Sequence, residues 1–328
     1  MKQVDIIDTY NLVTYRRDGA VRPGLHAEGT VFDLAALLAA DAGGEGAASS
    51  AWGGSLASVL ASWSEAEPIL ARIRQALPSS DWPHAWPLGE VELCAPLPDL
   101  QAVFCAAANF TDHMQEMSGR TPPDKSTTRP YFFLKTARHS LIGPGDEIWT
   151  AHDSDQLDWE AEIGVVIGSP AYRVSCDEAM DHVAGYVILN DLTLRDQTKR
   201  SDWNFGNDWF RAKSFDHSAP MGPWMTPARF VADPHQLDIR LWVNDDLMQD
   251  SSSRFMHFSV GELIEYLSEQ LTLQPGDVIA SGTPAGVGRA RGRYLQAGDS
   301  VKIEIDRLGT LSNPVVTHPS RPAGGSRS

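Results

Sequence analysis

The sequence predicts an α+β chain that is mostly β, with a small α/β portion at the amino end and a larger strand-rich domain after it. Three observations predict this. From Val103 onward, short apolar runs alternate with Pro-Gly, Gly-Pro and Asn-Asp turn signals, the pattern of strands joined by tight connections. One clear helical stretch interrupts them at residues 259–268, with Ser259 and Glu262 at capping-box spacing. The first hundred residues instead mix strand-like pieces with alanine- and leucine-rich helical stretches.

Residues 12–15 and 30–32 read as strands, with turn signals at Arg17-Asp18-Gly19 and Pro23-Gly24. Asp33 is placed to cap a helix that follows it. The small residues of 43–50 predict a flexible loop. Residues 55–77 predict two short helices broken between Ser64 and Pro68, and 78–98 a connection rich in proline and tryptophan. This divides the chain into a small domain at 1–98, a larger domain at 99–317 and a polar, disordered tail at 318–328.

The length of 328 residues and hydrophobic content of 42% suit one large or two modest globular domains. A formal net charge of -16 argues against nucleic acid or an anionic membrane as partner, because both are bound through Lys and Arg. Asp5 and Asp8 interrupt what would have to be the apolar core of a signal peptide, and no apolar run reaches about 18 residues. The expectation is a cytoplasmic protein without a membrane span. Cys94, Cys105 and Cys176 are odd in number, widely spaced and set in apolar sequence, which reads as reduced core cysteines.

The chemistry starts at Glu160 and Glu162, one residue apart at the head of the apolar run that continues to Gly168. In a strand both carboxylates share one face, and Trp159, Ala161, Ile163, Val165 and Ile167 share the other. Two adjacent carboxylates in a buried setting repel each other unless a cation or protons neutralise them. A second apolar run, from Val183, ends at Asn190-Asp191 and can bring a third carboxylate to the same point. Glu160, Glu162 and Asp191 offer oxygen alone, which suits Mg²⁺ or Mn²⁺, with Ca²⁺ as another hard ion that fits, and argues against zinc or copper. On pattern alone, a Glu-x-Glu strand also fits a solvated face.

Residues 109–116 predict a short helix capped by Asn109, with Asp112 in the first turn. His113 and Glu116 then share a face, and a carboxylate behind an imidazole makes it a better base for activating water; a surface pair would show the same spacing. Lys213 lies in a turn-rich segment bounded by Met221-Gly-Pro-Trp224, and it or Arg195 could hold an anionic substrate or a developing enolate, or simply form surface charge pairs. Residues 275–288 read as a strand and a glycine-rich loop that could cradle an anion with backbone N–H groups, Thr283 adding a hydroxyl. The loop lacks the nucleotide-binding patterns.

Taken in order, these segments resemble the fumarylacetoacetate hydrolase family over roughly residues 100–312. The matching stretches are 109–116, 129–135, 141–145, 158–168, 185–196, 213–224 and 273–288. The resemblance implies a catalytic domain of mixed β-sandwich or β-roll type, a homodimer, and a Mg²⁺ or Mn²⁺ site on Glu160, Glu162 and Asp191. It implies that His113 and Glu116 lie on a lid and that Lys213 and Thr283 line the pocket, with Lys135, Arg195 and Gln197 as further substrate contacts. Family members often carry Gln two residues beyond the Asp of the Arg-Asp pair. Here Gln197 precedes that place and Thr198 fills it, a departure that bears on substrate preference.

The function implied is hydrolysis of a carbon-carbon bond in acylpyruvate-type 2,4-dioxo acids, with catalytic His113, Glu116 and Lys213. Alternatives on the same site are oxaloacetate decarboxylation and isomerisation of a 2-hydroxy-diene-dioate. A metal-stabilised binding protein without turnover is the alternative of another class.

Overall fold

The computed structural model describes residues 9–41, 52–79, 81–100, 102–119 and 121–320. The loop expected at 43–50 lies outside them. Among the described residues the chain is α+β and strand-dominated, as expected, and its sheets are open. The largest has twelve strands. Its path runs from Ala85–Pro87 through Thr30–Asp33, Ala20–Ala27, Asn11–Arg17, Ala219–Pro227, Val183–Asn190, Ala161–Ile167, Val278–Ala280 and Ala102–Ala107 to Tyr131–Thr136. A five-stranded sheet, Asp246–Ser252, Asp238–Val243, Ser300–Ile305, Gly309–Val316 and Ile148–Trp149, packs on the large one. The amino-terminal strands belong to the large sheet, which Asn11–Arg17 joins through the pairing of Leu12 with Met225.

Ala161–Ile167 is buried along its whole length, and its two faces go to different cores. Ala161, Ile163, Val165 and Ile167 pack with the inner face of the five-stranded sheet. Val166 and the neighbouring Val187 and Leu189 pack toward the amino-terminal helices. The face assignment read from alternation is therefore the observed one.

Several local expectations need correction. Pro23-Gly24 is not a turn: both lie inside strand Ala20–Ala27, while Asp18 and Gly19, with φ of 51° and 76°, make the hairpin turn before it. Pro23 lies opposite Thr14 in the antiparallel ladder with Asn11–Arg17. The break between the two helices falls at Ala61-Ser62 rather than between 64 and 68, and helix Trp63–Gln75 runs through Pro68, losing one backbone bond there. The segment 78–98 also supplies two short strands, Ala85–Pro87 and Glu92–Leu93, to the sheet. Much of the turn-rich stretch after Lys213 is the buried strand Ala219–Pro227, whose register against Val183–Asn190 shifts between Tyr186 and Ile188. Asp33 does cap helix Leu34–Ala40, accepting from Ala36 N at 2.9 Å, and Ser259 and Glu262 form the expected box at Val260–Gln270.

All three cysteines are free, but only Cys105 is buried; Cys94 and Cys176 are half-buried. Within the expected tail, His318 packs its ring against Trp149 and Ser320 bonds His152, while 321–328 lie outside the described residues. No helix among the described residues is long and apolar enough to cross a membrane.

Candidate active site

Strand register builds the site. Ala161 pairs with Asn190 across antiparallel strands, so Glu160 and Asp191, one step beyond each, stand opposite one another, and Asp191 N donates to Glu160 O at 2.9 Å. Glu162 pairs with Leu189 and shares the face of Glu160. Ligand oxygens of Glu160, Glu162 and Asp191 all lie within 4.8 Å of one another, and the three side chains are buried. Ligands about 2.0–2.6 Å from one centre can be no more than about 5 Å apart, so this spacing fits one hard divalent ion.

Three cations attend the carboxylates. Lys213 Nζ lies 2.6 Å from Glu160 Oε2 and 2.6 Å from Asp191 Oδ2. Arg195 bridges Asp158 Oδ2 and Glu160 Oε1, each at 2.7 Å. Lys135 Nζ lies 2.9 Å from Asp191 Oδ1 and donates to the carbonyls of Leu192 and Ser218. Glu162 has no ion pair among the described residues; its Oε2 accepts from Gly282 N at 2.9 Å. Its burial, together with Asp191 and Glu160 beside it, pushes its carboxyl well above the usual carboxylate range. Burial acts on Glu160 too, but Lys213 and Arg195 outweigh it and hold that carboxyl down to about 2. A buried carboxylate left without a counter-charge, in an all-oxygen set, is what a divalent cation completes. Ion pairing and coordination can coexist, because each carboxylate offers about four lone-pair sites. These residues fit the metal.

The glycine-rich loop does cradle anions with its backbone, and they are the protein's own carboxylates. Gly282 N holds Glu162, Gly286 N holds Glu116 at 3.0 and 2.9 Å, and Gly288 N holds Asp158 at 2.6 Å. Gly286 has φ of +103°, and a Cβ there would meet Met248 O at 2.1 Å. Only glycine allows that approach.

His113 and Glu116 lie on helix Thr111–Ser118, with His113 Nδ1 3.9 Å from Glu116 Oε2, beyond hydrogen-bond length. Asn109 is not the cap, which is Phe110. Its buried side chain instead latches the Phe258 backbone and Ser281 O, ties that reach across the fold and that a local pattern does not reveal. Asp112 is in the first turn and accepts from Ser251 Oγ at 2.6 Å.

Glu160, Glu162, Asp191, His113, Arg195, Lys213 and Thr283 all line one cavity of about 1020 Å³. Thr283 Oγ1 donates to Ala161 O at 3.0 Å. Two expected substrate contacts are not in its lining. Lys135 is fully buried behind Asp191, its ammonium already engaged, and Gln197 turns away to donate to Asp153 O at 2.7 Å. Thr198 takes the lining position instead.

Sequence reasoning assigned no role to Asp158, which accepts from Arg195, Gly288 N and Arg289 N. It also missed Gln249, buried on strand Asp246–Ser252, which accepts from Ala161 N and donates to Thr283 Oγ1. Asp158 heads the 158–168 stretch beside the apolar Trp159, and that position was the available signal. Gln249 has no local signal. The outer wall carries Tyr131 and Trp209, joined by a 3.1 Å hydrogen bond, with Phe133 stacked on Trp209.

Residues 102–316 match the family described as fumarylacetoacetate (FAA) hydrolase C-terminal. The chain is 38% identical over 252 residues to a mitochondrial oxaloacetate tautomerase of Xenopus laevis, covering 76% of each protein. It is 40% identical over 230 residues to a 2,4-didehydro-3-deoxy-L-rhamnonate hydrolase of a Sphingomonas species, covering 69% of this chain and 77% of that one. Among solved structures, the fumarylacetoacetate hydrolase of Exiguobacterium antarcticum superposes with a TM-score of 0.73 at 30% identity, covering 94% of this chain and all (100%) of the other. A maleylpyruvate hydrolase from Sphingobium sp. SYK-6 gives 0.72 at 28%, with coverage of 94% and 100%. The chain belongs to the fumarylacetoacetate hydrolase family, an enzyme superfamily whose members include hydrolases, tautomerases and isomerases.

Proposed function

We propose that this chain hydrolyses a carbon-carbon bond in acylpyruvate-type 2,4-dioxo acids, using Mg²⁺ or Mn²⁺ held by Glu160, Glu162 and Asp191. The observation that carries the proposal is the meeting, in one cavity, of a three-carboxylate floor within 4.8 Å and His113 on its wall, with Glu116 3.9 Å behind the imidazole. When bound there, such an ion would supply Lewis-acid polarisation to the oxygens of a 2-oxo acid. Four buried carboxylates at the floor face three cations, so an ionised floor is net negative until a divalent charge reverses its sign and favours an anionic substrate.

His113 takes a proton from water as the water oxygen bonds to carbon 4. The electron pair of the bond between carbons 3 and 4 then passes to the pyruvyl side. Lys213 and Arg195 place positive charge where that enolate develops. The proton passes back from His113 to carbon 3 to give pyruvate, and the other product is a carboxylic acid. Glu116, anchored by Gly286, supports the charged imidazole. Similar proteins named as hydrolases, including that of maleylpyruvate, support this reading.

A second reading, tautomerisation of oxaloacetate, is favoured by the 38% identity to the Xenopus enzyme and needs only proton transfer by the same base. Assay with Mg²⁺ against acylpyruvates and oxaloacetate separates the two. Hydrolysis releases two acids in equal amounts. Loss of the enol absorbance of oxaloacetate, without cleavage of any acylpyruvate, would replace the first reading by the second.

A further inference from the structure

We propose that Arg289 is a specificity-determining residue whose guanidinium receives a second carboxylate at the far end of the substrate, so that the chain prefers dioic to monocarboxylic 2,4-dioxo acids. The inference rests on the reading above, in which the pyruvyl end occupies the carboxylate floor. A cavity of about 1020 Å³ leaves ample room beyond a three-carbon oxo acid.

The cations of the floor are all engaged by carboxylates. Arg289 and Lys199 also line the cavity, but both are exposed and neither side chain has a hydrogen bond, ion pair or ring contact among the described residues. The turn that carries Arg289 holds two other arginines, and both are tied to strand Asp246–Ser252. Arg291 donates to Met248 O at 2.7 Å and Arg293 to Asp246 Oδ2 at 2.6 Å. Of these three arginines, Arg289 alone lines the cavity.

Its main chain is fixed by the site itself. Arg289 N donates at 3.0 Å to Asp158 Oδ2, the oxygen that also accepts from Arg195 Nε at 2.7 Å. One carboxylate thus sets the distance between the guanidinium at the pyruvyl end and the origin of the one at the far end. Asp196 on the same lining is occupied by the Ser154 hydroxyl. In a chain of net charge -16, a dianionic substrate needs such unpaired cations, and a guanidinium fork matches a carboxylate with two parallel bonds.

The test compares kcat/KM for 2,4-dioxoheptanedioate and 2,4-dioxoheptanoate, with Mg²⁺, in the unaltered protein, Arg289→Gln and Arg289→Lys. The expected ratio favours the dioate by at least about tenfold, falls by about tenfold in Arg289→Gln through KM, and is partly kept in Arg289→Lys. A ratio near unity in the unaltered protein overturns the proposal, as does a ratio that Arg289→Gln leaves in place while both substrates lose equally. If neither compound is turned over, the hydrolase reading fails and calorimetric binding of the two compounds decides this one. Tighter binding of the dioate that Arg289→Gln abolishes supports it, and equal binding overturns it.

Discussion

The backbone N–H of Gly286 donates to both oxygens of Glu116, at 3.0 and 2.9 Å, and so holds the carboxylate that stands 3.9 Å from His113 Nδ1. The loop after strand Val278–Ala280 thereby fixes the acid on a helix 170 residues earlier in the chain. Gly286→Ala would place a methyl 2.1 Å from Met248 O at a φ of +103°. We expect a loss of stability of at least about 2 kcal/mol, read from the urea midpoint, together with reduced turnover. Unchanged stability would mean that the loop does not hold this conformation.

The imidazole and the acid have separable effects. His113→Gln should lower kcat by about 10² to 10⁴ while leaving Mn²⁺ affinity intact, since His113 is not among the floor carboxylates. Glu116→Gln should lower it less, because it removes only the support behind the proposed base. Steady-state kinetics beside Mn²⁺ titration checks both, and a weakened Mn²⁺ affinity in His113→Gln, or a larger loss of kcat in Glu116→Gln than in His113→Gln, would contradict the division of roles.

Lys213 ties Glu160 to Asp191 with two contacts of 2.6 Å in a fully buried setting. Burial alone would lower its pKa, but Asp191 and Glu160 raise it, so the ammonium stays charged. Lys213→Met leaves those carboxylates short of a counter-charge and should cost about 3–5 kcal/mol in chelator. Added Mn²⁺ should recover more stability in this variant than it adds to the unaltered protein. Chemical denaturation with and without the ion provides the comparison, and equal gains would contradict it.

His26 supplies a pH dependence remote from the site. It is stacked on Trp224 at 4.6 Å, and burial lowers its pKa from the ordinary 6.5 to about 4. Between those values the unfolded chain binds the proton and the folded chain does not. The contribution is therefore complete above pH 6.5 and is lost as pH falls through the unfolded value toward the folded one, about 2 kcal/mol between pH 7 and pH 5. His26→Phe keeps an aromatic ring against Trp224 and removes the titration. The stability difference between the two proteins should move by that amount over the same interval, and parallel pH curves would sink the assignment.

The parts of the site that follow strand alternation were legible. Period two put Glu160 and Glu162 on one face, and the polar end of the next apolar run put Asp191 beside them. What stayed hidden was tertiary. Asn109 has the look of a cap by position but spends its side chain on Phe258 and Ser281, far along the chain. Lys135 and Arg195 carry the same formal charge in sequence, yet one is enclosed behind Asp191 and the other lines the cavity. Gly282, Gly286 and Gly288 read as a cradle for a bound anion, and the anions proved to be Glu162, Glu116 and Asp158. Ala219–Pro227 was obscured by its prolines, which signal turns locally; one of them, Pro223, falls where the register against Val183–Asn190 slips.

The most direct test of the central claim is calorimetric titration of Mn²⁺ into the chelator-treated protein and into Glu162→Gln, the proposed ligand with no lysine or arginine ion pair among the described residues. The account predicts one ion per chain in the unaltered protein and an affinity weaker by more than about tenfold in the variant. Absence of binding in the unaltered protein, or equal affinity in the two, would contradict it.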